Sequence, residues 1–295
     1  MSSVNGKVAL ITGGARGIGA AVARRLHSKG ARLVLIDLDE APLKELAAEL
    51  GDTRVHTVVA DVRDLAAMEG AVGTAMQRFG GIDIVLANAG IASYGSVLGI
   101  DPVAFKRVVD VNLVGVFNTV RAALPSVIER RGYVLIVSSL AAFAAQAGMA
   151  AYDATKAGVE HFANALRLEV GHRGVRVGSA HMSWIDTPLV RDTEHDLPSF
   201  REVLDLLPGP FGKLTTVEEC AEAFVNGIER RKRRVYCPKW VGAMRWLRPL
   251  LATPVYEAPG TKARAELLPR MDAEVAALGR WTSARTEALE KRPPA

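Results

Sequence analysis

Cysteine is nearly absent: Cys220 and Cys237 are the only two among 295 residues. Two thiols make neither a disulfide framework nor a metal-ligand set, and they fit a reducing cytosol. The six histidines are scattered without ligand spacing, so no metal site is expected. No apolar run approaches the roughly 20 residues of a membrane-spanning helix. The segment Met1-Ser2-Ser3-Val4-Asn5-Gly6-Lys7 has no charged stretch leading into a long apolar one. No secretory leader is therefore expected, and the chain reads as cytoplasmic. What remains is an ordinary globular composition, 49% apolar and 23% charged. A chain of this length buries roughly three quarters of its unfolded surface and needs no staples.

The net charge of +5 is concentrated in one region. Residues 229–295 carry 15 Lys/Arg against 7 Asp/Glu, whereas residues 1–228 carry 22 against 25. The basic balance is thus a property of the C-terminal tail and is no argument for nucleic acid. Within the tail, Arg230-Arg231-Lys232-Arg233-Arg234, Lys239-Trp240, Arg245-Trp246 and Arg248 interleave cations with aromatic residues. That pattern suits peripheral contact with an anionic membrane; a solvated charge run or a tail packed on a neighbouring subunit competes with it.

Short apolar runs alternate with helical periodicity. Strands are expected at 7–12, 32–37, 54–60, 82–87, 133–138 and 175–180, with a short seventh at 234–236. Helices are expected at 17–30, 40–50, 64–79, about 102–130, 151–172 and 216–230. Near-continuous apolar strands between helices imply a doubly wound, parallel, Rossmann-type α/β sheet in residues 1–236. Beyond it, Pro238, Pro249, Pro254, Pro259 and Pro269 punctuate residues 237–295, read as a mostly helical tail and not an independent domain.

The first strand runs into Thr12-Gly13-Gly14-Ala15-Arg16-Gly17-Ile18-Gly19 and then a helix. Such glycines allow a sharp turn and close approach of the backbone to a pyrophosphate, which the helix N-terminus attracts. No Lys-Ser/Thr pair follows, which separates this turn from the triphosphatase loop. Gly13, Arg16, Gly17, Ile18 and Gly19 are the candidate contacts. Asp37, 18 residues beyond Gly19, is placed to accept the adenosine ribose hydroxyls and to repel a 2′-phosphate, which favours NAD(H) over NADP(H). Arg16 argues the other way, since a cation here suits that phosphate.

These and later residues, in order, resemble the short-chain dehydrogenase/reductase superfamily over residues 5–236. The TGxxxGxG turn is Thr12 to Gly19, and the adenine-side motif is Asp61-Val62. The NAG motif is Asn88-Ala89-Gly90, and the helix asparagine is Asn112. The serine after strand five is Ser139, and YxxxK is Tyr152 to Lys156. The resemblance implies an oxidoreductase that is a homodimer or homotetramer through its long helices. It gives Ser139 the substrate oxygen, Tyr152 the transferred proton, Lys156 the nicotinamide ribose and Asn112 a water relay. A free tyrosine titrates near 10, so an ammonium one helical turn away is expected to lower it toward a useful base. Two departures stand out. Thr155 replaces the serine before the lysine, and Met182-Ser183 replace the Pro-Gly of the loop lining the nicotinamide. In that loop Ser183, Ile185 and Thr187 remain the candidate cofactor contacts, but its backbone is expected to differ.

The segments implied to build the substrate site are Ile91-Ala92-Ser93-Tyr94, Leu140 to Ala145, and Met182-Ser183-Trp184 with Leu189 and Val190. They are small or apolar and offer no cation for a carboxylate or phosphate. A hydrophobic secondary alcohol or ketone of steroid, retinoid or long-chain type is expected. An NADP(H)-dependent ketoreductase and a non-catalytic dinucleotide-binding regulator are the alternatives.

Overall fold

In the computed structural model, residues 4–251, 253–254 and 258–291 are described. Expectations touching residues 1–3 and tail positions 252, 255–257 and 292–295 lie outside them. The order is β1 (Val8–Thr12), α1 (Gly17–Ser28), β2 (Arg32–Asp37), α2 (Glu40–Leu50), β3 (Val55–Val59), α3 (Leu65–Phe79) and β4 (Ile84–Ala87). Then come α4 (Pro102–Val109), α5 (Gly115–Glu129), β5 (Tyr133–Val137), α6 (Ala150–Val170) and β6 (Arg176–Met182). The C-terminal part adds α7 (Pro188–Asp196), α8 (Pro198–Leu206), α9 (Val217–Glu229), β7 (Arg234–Cys237), α10 (Val241–Leu251), α11 (Thr261–Leu278) and α12 (Ala284–Glu290).

All seven strands are parallel, in the order β3-β2-β1-β4-β5-β6-β7. Every residue of β1 and β5 is buried, which is why those runs lack alternation. On one face Leu26 of α1, Leu43 of α2 and Phe224 of α9 pack with Leu33 and Leu35. On the other, Met68 of α3, Val120 of α5 and Val159 of α6 pack with Leu10 and Val34. Strand order reverses between β1 and β4, so a crevice opens at their C-terminal ends.

The helix expected at about 102–130 is interrupted. A π turn, Asp110–Val114, separates α4 from α5. The whole stretch is apolar and long enough to span a membrane by composition, but most of it is buried in the protein. The π turn carries Asn112, fully buried, and such turns favour functional sites.

The tail is helical and folds back onto the domain. Met271 and Val275 of α11 share a core with Tyr94, Val190, Leu197 and Phe200. Asp272 accepts from Ser96 N at 2.8 Å and Ser96 Oγ at 2.7 Å, and Glu274 accepts from Ser199 Oγ at 2.6 Å. The basic run is partly consumed inside the molecule. Arg234 and Arg248 converge on Glu160 of α6 at 3.4 and 3.2 Å. Trp240 packs edge-on to Phe211, and Trp281 Nε1 donates to Gly99 O at 2.8 Å. Of the tail tryptophans, Trp246 is the exposed one, at 76%.

Glu160 is the buried anion that docks the start of the tail. Glu160→Ala leaves the largely buried Arg234 without its counter-charge and is expected to cost about 3 kcal/mol, measured by denaturant unfolding.

Candidate active site

One cavity of about 450 Å³ runs along the crevice and brings most of the candidate residues together. Gly13, Arg16, Gly17, Ile18, Asp37, Asp61, Val62, Asn88, Ala89 and Gly90 line one part. Ser139, Tyr152, Lys156, Ser183, Ile185 and Thr187 line the rest. Gly19 and Asn112 do not line it.

Gly13 and Gly17 have φ of +62° and +51°, which a side chain disfavours. A Cβ on Gly13 would lie 2.9 Å from Asn88 Nδ2. Asn88 Nδ2 donates to Thr12 O at 3.0 Å and to Gly13 O at 3.1 Å, and its own N–H donates to Thr12 Oγ1 at 3.1 Å. Gly19 stands behind this turn, where a Cβ would collide with Gly13 O. The missing side chain lets α1 pack closely against the turn. No side chain caps α1, so its first N–H groups face the cleft, as an anion-binding turn requires.

Asp37 Oδ2 accepts from Ala15 N at 3.0 Å, and its Oδ1 accepts from Asp39 N at 3.1 Å. Burial raises the pKa of this carboxyl, and those N–H bonds partly offset the rise. Arg16 is held by Asp39 at 2.7 Å, so its cation is already matched. Asp61 is gripped by Arg63, whose Nε and Nη2 reach Asp61 Oδ2 at 2.8 and 2.6 Å.

Tyr152 and Lys156 lie on α6 and Ser139 at the end of β5. Ser139 Oγ donates to Met182 O at 3.5 Å, accepts from Ala141 N at 3.2 Å and lines the same cavity as Tyr152. Lys156 Nζ donates to Val137 O at 3.0 Å and sits 5.3 Å from the centre of the Tyr152 ring. The expected lowering of the tyrosine pKa is absent in the protein alone. Burial pushes Tyr152 up to about 12 although the nearby Ser139 hydroxyl lowers it, and it pulls Lys156 down to about 8. The ammonium lies over the ring face and is itself desolvated, so burial outweighs its charge.

Asn112 works from behind. Its Oδ1 accepts from Ile91 N at 2.9 Å, and its Nδ2 donates to Ile91 O at 2.9 Å and Thr155 Oγ1 at 3.2 Å. Thr155 Oγ1 in turn donates to Tyr152 O at 2.8 Å. The threonine substitution therefore keeps the hydroxyl that links the π turn to α6.

At the position of the family's proline, β6 continues through Met182, which pairs with Cys237 of β7, and Ser183 N donates to Cys237 O at 2.9 Å. The Ser183 hydroxyl is buried in the cavity wall without a protein partner. An orphaned hydroxyl beside Ile185 and Thr187 fits a polar ligand group. Across the cleft, a Cβ on Gly17 would meet Thr187 Cγ2 at 3.5 Å. His181 stacks on Phe143 at 4.5 Å and is pulled down to about 3 by burial, so it stays neutral.

The sequence reading missed part of the wall. Met271, Ser283, Arg285, Thr286, Leu289 and Glu290 all line the cavity from the tail. The nearest signal was Ser283 with Glu287 four residues on, a helix-start pattern. Among the described residues, no cluster of three His, Cys, Asp or Glu is placed to hold a metal ion.

A family model described as short chain dehydrogenase matches residues 7–198. This chain belongs to the short-chain dehydrogenase family. It is 37% identical over 193 residues to the 3-alpha-(or 20-beta)-hydroxysteroid dehydrogenase of Mycobacterium tuberculosis, covering 65% of this chain and 74% of the relative. It is 36% identical over 193 residues to the oxidoreductase UcpA of Escherichia coli, covering 64% and 73%. Among solved structures, an NAD-bound short chain dehydrogenase from Mycobacterium paratuberculosis aligns with a TM-score of 0.69 at 30% identity, covering 79% of this chain and 97% of that one. The NADH complex of 3-ketoacyl-(acyl-carrier-protein) reductase from Brucella melitensis aligns at 0.67 and 31%, covering 77% and 92%. This short-chain dehydrogenase is thus an oxidoreductase of alcohols or ketones that uses a nicotinamide dinucleotide, and the non-catalytic alternative falls away.

Beside the tyrosine, Asp153 is held by Gln146 N at 2.7 Å, and burial pushes its carboxyl up to about 7. The folded enzyme keeps this proton where the unfolded chain loses it, so the contribution of Asp153 to stability is full below pH 4 and is lost as pH rises through 7. Asp153→Asn is expected to gain on the order of 2 kcal/mol relative to wild type between pH 5 and pH 7, read from denaturation curves at the two values.

Proposed function

We propose that this enzyme is an NAD(H)-dependent dehydrogenase or ketoreductase of hydrophobic secondary alcohols and ketones, of steroid, retinoid or long-chain type. The observation that carries the reading is the meeting of Ser139, Tyr152 and Lys156 in a cavity whose lining also includes Tyr94, Leu140, Trp184, Leu197, Phe200 and Met271. The other cations of that cavity are matched, Arg16 by Asp39 and Arg285 by Asp192. An uncharged polar head at the triad and an apolar body against the wall satisfy both. The hydroxysteroid dehydrogenase name of the Mycobacterium tuberculosis relative supports the same class.

The dinucleotide, when bound, gives or takes the hydride. Ser139 donates a hydrogen bond to the substrate oxygen and stabilises its developing charge. Tyr152 holds the proton that passes to or from that oxygen. Lys156 anchors the end of the cleft and supplies positive charge beside the phenol. Asn112 is a positioning residue: it fixes Ile91 and, through Thr155, the helix turn that carries Tyr152. Asp37 supports NAD over NADP, because its carboxylate faces the cleft while Arg16 is committed to Asp39.

The proposed assembly is a cytoplasmic homodimer or homotetramer through the long helices. Exposed Phe117 on α5 and Leu168 on α6, at 47% and 82%, support it, as do two free thiols.

Tyr152→Phe is expected to lower kcat roughly 10³-fold in NADH formation from an alcohol panel, with NADH affinity unchanged. Small polar polyols outperforming apolar alcohols in that panel would overturn the substrate class. In a separate comparison, Asp37→Ser is expected to raise the NADP-to-NAD ratio of kcat/KM by about tenfold or more. A wild type that already prefers NADP would refute the cofactor reading.

A further inference from the structure

We infer that the C-terminal helix α12 is a clamp on the dinucleotide cleft, a cofactor-retaining element built outside the residues that match the family. Its side chains are tied to both banks. On one bank, Glu290 reaches Arg63 at 2.9 Å, and Arg63 is the residue that grips Asp61. Glu287 reaches Arg107 of α4 at 2.9 Å on the same side. On the other bank, Arg285 reaches Asp192 of α7 at 3.2 Å. Between these ties, Ser283, Thr286 and Leu289 line the same cavity as Val62, Gly90 and Thr187. The approach to α12 is fixed as well. Arg280 grips Asp196 at 2.5 and 2.6 Å, and Thr282, fully buried, donates to Glu287 at 2.7 Å.

What holds α12 explains what it does. The helix has seven residues and none of them is buried. A helix this short has no stability of its own, since isolated helices below about 12 residues are marginal in water. It stays in place through ion pairs, and elements held that way are the ones that open first. A dinucleotide held along this cleft would pass beneath it, since Leu289 and Glu290 line the cavity together with Asp61 and Val62. Release of the cofactor therefore requires these pairs to part. The inference rests on dinucleotide binding and is independent of the substrate class.

The test uses the full chain and no substrate. NADH affinity and its dissociation rate are measured by fluorescence in the wild type and in Glu287→Gln/Glu290→Gln, with NADPH run in parallel. Removing both carboxylates is expected to speed dissociation and weaken binding by roughly five- to tenfold. The wild-type dissociation rate is expected to rise with KCl, and that of the variant, which keeps only the Arg285–Asp192 tie, to rise less steeply. The melting temperature without cofactor should barely move, because α12 adds nothing to the core. As a second arm, Asp192→Arg should speed dissociation, and adding Arg285→Asp should restore it. Tight NADH binding with equal dissociation rates in wild type and variant, or no rescue by the exchanged pair, would overturn the clamp. Binding of neither dinucleotide by the wild type would overturn the cofactor reading itself.

Discussion

The side-chain amide of Asn88 ties together the two strand ends between which the cleft opens. It takes the carbonyls of Thr12 and Gly13, while Thr12 Oγ1 accepts from the backbone that follows β4. The β1–β4 ladder ends at Ile11 and Leu86, and this amide holds the two strand ends just beyond it. Gly13 and Gly19 leave no room for side chains because that amide and the turn occupy the space. The anion-binding turn, the reversal of strand order and the bottom of the cavity are one construction. Ser139 follows β5 beside it, and Tyr152 and Lys156 on α6 line the same cavity.

Burial acts on the reacting pair in opposite senses. It makes Tyr152 a weaker acid and Lys156 a weaker base, so both lean toward their neutral forms. A neutral phenol suits proton donation to a carbonyl. Proton removal from an alcohol needs positive charge in addition to Lys156. Asp153 sits next to the same tyrosine and raises it further when charged. The site therefore responds to the charge of whatever fills it, and water exclusion by the apolar wall magnifies that response.

The fold was legible because buried parallel strands leave an unmistakable apolar rhythm. Helix ends were less so, but Asp64 accepting from Ala66 and Ala67 shows why α3 starts where it does. The π turn at Asn112 left no trace in the periodicity, because one extra residue per turn hardly disturbs an apolar stripe. The ordered motifs located the site. Spacing places an ammonium beside Tyr152 but does not show the burial that opposes it, which is a property of the whole packed domain. The tail was the least readable part. Its prolines and charges suggested an appendage, yet Asp272, Glu274, Arg280 and Glu290 each find a partner far away in sequence.

Met182 stands where the family has proline, and it forms the last rung of β6. Beyond it the backbone of Ser183 hangs directly from Cys237 of the edge strand β7. An edge strand is where another chain most readily settles. In this enzyme that rim and the residue bearing the orphaned cavity hydroxyl are one hydrogen bond apart.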